Sequence, residues 1–122
     1  MTLHYLDFDD SEDTDGIGTF EAMASTWPEQ VPEVHAEIVS VLDWAHAEFP
    51  DTRGPIGEGG EWDYDLHGMQ EFPAPQQIEY DATTRRLSVR NSPPGKPRHT
   101  VTLSISGTSQ FCMAFRQQFG LG

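Results

Sequence analysis

The sequence predicts an α+β two-layer sandwich: an antiparallel sheet of about five to six strands with two helices on one face, in the order ββ-α-ββββ-α. Three observations carry this reading. Several segments alternate apolar and polar residues with the period of a strand, most clearly 61–67 and 99–106. Two others, after Pro32 and after Gly107, repeat apolar residues at helical spacing. Consecutive strands are joined by short connections, which antiparallel pairing allows. The 122 residues suffice for a single domain over 1–122.

Residues 2–9 read as a first strand, rich in Leu3, Tyr5, Leu6 and Phe8. Residues 9–18 follow as a mobile acidic loop, whose carboxylates repel one another and whose glycines allow positive φ. Residues 19–27 place Phe20, Ala22 and Ala24 on one face, favouring a strand paired with the first; a short helix is the alternative. After Pro32, the positions Val34, Ile38, Val41, Leu42, Ala45 and Phe49 mark an amphipathic helix. Proline suits its first turn, and Pro50 stops it. A glycine-rich loop over 53–60 leads to the strand at 61–67, with Trp62, Tyr64 and Leu66 on its apolar face.

Pro73 and Pro75 interrupt the chain before a β-hairpin formed by 78–81 and 85–91, in which Leu87 and Val89 are expected to face inward. A Pro- and Gly-rich turn over 92–97 precedes the best strand, with Val101, Leu103 and Ile105 inward. Thr108 or Ser109 caps a last helix whose stripe is Phe111, Phe115 and Phe119.

Charge is the most informative count. The chain carries 20 acids and 7 bases, a net charge of −13. All 20 acids lie in residues 1–81 beside one base, Arg53, giving −19; residues 82–122 hold six bases and no acid, giving +6. This balance repels nucleic acid and anionic lipid at long range, so neither is an expected partner. No apolar run is long enough to span a bilayer. The N-terminus lacks a secretory pattern and Cys112 is the single cysteine, both of which favour a reducing cytoplasm.

Two acidic groups are the candidate binding residues. The first is Asp9, Asp10, Glu12, Asp13 and Asp15. With Gly16 at the sixth position of an EF-hand loop, Ser11, Asp13 and Asp15 fall on ligand positions, but Ala22 stands where a bidentate glutamate is required. The second is Glu61, Asp63, Asp65 and His67, which strand alternation puts on one face at roughly 6.5–7 Å intervals. That row can serve as a charge ladder, a binding face or a metal-ligand set.

Catalytic motifs are missing. His35-Ala36-Glu37 and His46-Ala47-Glu48 each match half of a zinc-deaminase signature, yet the Pro-Cys-x-x-Cys half is lacking. Their histidines would stand roughly 16 Å apart along a helix, too far to share a metal. No serine sits in a Gly-x-Ser-x-Gly turn, Cys112 lies among core-type residues, and Gly57-Glu58-Gly59-Gly60 lacks the Gly-Lys-Ser/Thr ending of a phosphate loop. No cofactor is expected.

The segments Leu6-Asp7-Phe8-Asp9 with Ser11-Glu12-Asp13, Phe20-Glu21-Ala22-Met23-Ala24, and Glu61-Trp62-Asp63-Tyr64-Asp65 resemble a family of small uncharacterised bacterial proteins. The resemblance implies a small soluble bacterial protein and assigns no activity or site. From the residues, the leading expectation is a small acidic cytoplasmic protein, binding or regulatory, that engages a basic partner surface. The alternatives are a metal-dependent enzyme or ligand binder built on Glu61–His67, and a homodimeric structural subunit, so the chain is expected as monomer or homodimer.

Overall fold

The computed structural model describes residues 3–121. The fold is α+β, with six strands and two helices in the predicted order. The strands are β1 (Asp9–Glu12), β2 (Gly18–Thr26), β3 (Trp62–Glu71), β4 (Gln76–Asp81), β5 (Arg86–Asn91) and β6 (Arg98–Gly107). The helices are α1 (Val31–Glu48), between β2 and β3, and α2 (Ser109–Phe119), after β6. The strands divide into a four-stranded antiparallel sheet, ordered β1-β2-β6-β3, and a separate two-stranded sheet of β4 and β5.

One face of the large sheet carries the core. Phe20, Ala22 and Ala24 of β2, Leu103 and Ile105 of β6 and Trp62 of β3 are buried there. They meet Val34, Ile38, Val41 and Ala45 of α1 and Phe111, Cys112 and Phe115 of α2. Trp44 closes the cluster, its ring between 5.4 and 6.3 Å from those of Phe49, Phe111, Phe115 and Phe119. Thr108 caps α2, its hydroxyl accepting from the Phe111 N–H.

Two glycines bring α2 this close. Gly18 of β2 pairs directly with Gly107 of β6. A Cβ at Gly18 would lie 2.6 Å from Cys112 Sγ, and one at Gly107 would lie 2.3 Å from Phe111 Cδ1. The paired glycines therefore open a slot in the sheet that receives the first turn of α2.

The N-terminal segment differs from expectation. Residue 2 of the strand expected over 2–9 lies outside the described residues, and residues 3–8 form no strand. They are held instead by a side chain of α1: the Glu37 carboxylate accepts backbone N–H bonds from His4, Tyr5 and Leu6 at 2.8–3.1 Å. Leu6 and Phe8 still enter the core. The strand starts where an acidic loop was expected, with Asp9–Glu12 as an edge strand and a turn over 13–17.

The hairpin is the second correction. Leu87 and Val89 do not face a core; they are 67% and 54% exposed. The arm continues the β3–β6 ladder outward through Pro73 and Pro75 on one side and Ser92–Pro97 on the other. Gly95 N–H donates to the Pro73 carbonyl and Ser92 N–H to the Pro75 carbonyl, at 2.7 and 3.0 Å. Asp81 shapes the tip by accepting from the backbone N–H groups of Thr83 and Thr84, which holds its carboxyl below the usual range.

Burial pushes the Cys112 thiol above its ordinary range, against the weaker opposing effect of hydrogen bonding. The folded chain therefore holds this proton more tightly than the unfolded one. The resulting stability is fully present below the unfolded thiol's value, about 8.5, and is lost as pH rises through the raised folded value. Chemical denaturation is expected to show stability falling above about pH 8.5, with a shallower fall in Cys112→Ala. A residual slope is expected in that variant because Tyr5, bonded through its hydroxyl to Glu33, is raised as well. Equal slopes in the two proteins would contradict the thiol's part.

Candidate binding face

Both helices lie on one side of the large sheet, and its other face is uncovered. Strand alternation and register give that face its composition. Asp9, Glu21, Ser104 and Asp65 form one row across β1, β2, β6 and β3. Ser11, Thr19, Ser106 and Asp63 form the next, and Met23, Thr102 and His67 flank the first on its other side. Neighbouring strands stand about 4.8 Å apart, so the face is a field of closely set hydroxyls with carboxylates on its outer strands and at Glu21. The hydroxyls bond laterally: Thr19 Oγ1 lies 3.0 Å from Ser106 Oγ, and Thr100 Oγ1 donates to Ser25 Oγ at 3.1 Å.

The structure separates the acidic groups that the sequence offered together. Asp9 lies on the open face opposite Glu21, whereas Asp10, paired with Phe20, is turned to the helix side and bonded to Arg116 of α2 at 3.2 Å. Glu12 follows Asp10 to that side by alternation. Asp13 is occupied by its own turn, its Oδ1 accepting from the N–H groups of Asp15 and Ile17 at 2.9 Å each. Asp15 is exposed beyond it.

The second group survives as a row of three. Glu61 precedes β3, with its backbone held by Thr52 and Thr108. Asp63 is engaged by Arg53 Nε at 2.9 Å, and Asp65 Oδ2 lies 2.8 Å from His67 Nε2. Among the described residues, no three His, Cys, Asp or Glu side chains are grouped to hold a metal ion.

The bases distribute unevenly. Arg116 meets Asp10, and Lys96 meets Glu29 and holds that carboxyl below its usual range. Arg98 donates to Ser25 and lies 4.9 Å over the Trp27 ring, so this partly exposed Trp is bordered by cations, Lys96 being the second. Arg85, Arg86 and Arg90 on the arm form no ion pair among the described residues.

Glu21 and the Ser/Thr ladder are functional candidates that sequence reasoning missed. The signal was the polar alternation of β2 and β6, but the strand order that places β6 at the centre of the open face is a long-range property. No helix among the described residues is long and apolar enough to cross a membrane. Comparisons with protein families, curated proteins and solved structures found no match.

Proposed function

We propose that this chain is a small acidic binding protein that takes a basic protein surface on its open sheet face. One observation carries the reading: Asp9 stands directly opposite Glu21 on an uncovered face, and no base shares their row. Like charges directly opposed across strands destabilise a sheet. A cationic side chain supplied from outside relieves that repulsion. The net charge of −13 extends the attraction beyond contact and speeds encounter. A cytoplasmic setting belongs to the same reading, supported by the unpaired, buried Cys112.

The test is the double variant Asp9→Asn with Glu21→Gln. Its stability is expected to rise by about 0.2–1 kcal/mol as the repulsion is removed. Affinity capture from a lysate of the source organism, eluted by salt between about 50 and 500 mM, is expected to yield a basic protein with the parent chain and to lose it with the variant. Stability and capture moving in opposite directions separate a binding role from a structural one. Equal capture by both chains, or capture indifferent to salt, overturns the proposal.

A further inference from the structure

The β4–β5 arm is an amphipathic ribbon without a second layer. Its register sets Ile78 opposite Val89 and Tyr80 opposite Leu87, so these four share one face. They are 54–67% exposed. Arg86, Ser88 and Arg90 of β5 lie on the reverse face. A lone two-stranded ribbon is marginally stable in water, and four large apolar side chains on one face make a patch on the order of 400 Å², a size that marks interaction surfaces.

The body carries a surface of matching chemistry. Between α1 and the outer part of β3 and β6, a groove of about 450 Å³ is lined mainly by Ile38, Val39, Leu66, Gly68 and Val101, with His35 and His67 beside them. One wall is the edge of β3. The Trp62 carbonyl is taken by Gly54 N–H, which shows that the backbone groups of alternate residues from Trp62 point away from β6. Tyr64, Leu66, Gly68 and Gln70 continue that series, and no strand pairs with them among the described residues.

We propose that β5 of a second copy adds to this free edge of β3, each copy giving its arm to the other in a two-fold dimer. Lengths agree: β5 has six residues, and the free stretch of β3 runs from 64 to 70. Alternation agrees on both faces. With Leu87 and Val89 on the groove side beside Leu66 and Gly68, Arg86 and Arg90 emerge on the side of Asp65 and Glu71, and opposite charges across neighbouring strands attract. Ile78 and Tyr80 of the accompanying strand are carried over α1, toward Val39.

The chain's own arm is held off this groove. The bonds from Gly95 to Pro73 and from Ser92 to Pro75 keep the ribbon extended, and prolines at 73, 75, 93, 94 and 97 stiffen its base. Two reciprocal contacts, each covering an arm face and an equal area of groove, bury about 1,600 Å², the size of a standard specific interface. The opposed pair Asp9 and Glu21 stands on β1 and β2, away from the β3 edge, and nothing in this inference rests on the function proposed above.

Sedimentation equilibrium tests it with exposed positions. The parent chain is expected to be dimeric at about 50 µM. Leu87→Glu with Val89→Glu on the arm, and Leu66→Glu in the groove, are each expected to raise the dimer dissociation constant more than about 100-fold with unchanged circular dichroism. Val39→Glu on α1 replaces Leu66→Glu if the latter unfolds. Mixing the arm and groove variants is expected to restore a dimer, since one intact arm then meets one intact groove. A parent chain monomeric up to about 0.5 mM, a groove variant still dimeric while the arm variant is not, or no recovery on mixing overturns the proposal.

Discussion

Replacing Phe115 by alanine is expected to cost about 3–5 kcal/mol, the usual range for emptying a buried aromatic site. Phe115 is fully buried on α2 and is the hub of the aromatic cluster. Its ring stacks on Phe20 at 4.4 Å, meets the edge of Phe8 at 5.2 Å and lies 4.8 Å from Phe119. These three contacts join β2, the N-terminal segment and the end of α2, so no single neighbour can move in without leaving another. A loss of this size is a large fraction of the roughly 5–15 kcal/mol that stabilises a domain, and the melting temperature is expected to fall by roughly 10–20 °C. Met113, on the same helix but 70% exposed, supplies the control: Met113→Ala is expected to stay within about 0.5 kcal/mol of the parent. Similar melts for the two variants would show that the cluster does not carry the fold.

That concentration of stability explains which elements were legible in the sequence. α1, β2, β6 and α2 each place a run of apolar residues in the one core, so their periodicity and their burial agree. Where something besides core burial sets an element's conformation, pattern reading failed. Leu3–Phe8 has strand-like composition but is pinned by the carboxylate of Glu37, a partner more than thirty residues away. Asp9–Glu12 reads as a loop because three of its four residues are acidic, yet it is exposed on both faces and an edge strand tolerates that. Alternation in β5 reported a ribbon with an apolar face but not that this face is left exposed. The candidate site shows the same division. Asp63, Asp65 and His67 were found on one strand, while the opposition of Asp9 to Glu21 exists only once β1 is shifted to begin at Asp9.

Gly107→Ala is expected to be as damaging as the loss of a core aromatic, although it adds only one carbon. The new Cβ would lie 2.3 Å from Phe111 Cδ1 and 2.6 Å from Cγ. Phe111 cannot yield, because its ring is stacked on Trp62 at 5.7 Å and packed by Phe49 at 5.0 Å and Trp44 at 5.9 Å. Overpacking of this kind typically costs about 1–3 kcal/mol and more where nothing can shift; the upper end is expected here. Gly18, its partner across the ladder, provides the discriminating comparison. Gly18→Ala collides with a single atom, Cys112 Sγ, at 2.6 Å, while the Cys112 Cβ lies at an ordinary 3.6 Å. Removing that sulfur makes room for the added carbon. In a denaturant-melt cycle, Gly18→Ala with Cys112→Ala is therefore expected to be more stable than the sum of the single changes by about 1 kcal/mol or more. Gly107→Ala combined with the same Cys112→Ala is expected to be additive, because its obstacle is a ring on the neighbouring residue. Additivity at Gly18, or rescue at Gly107, would show that the slot is not what seats α2 against the sheet.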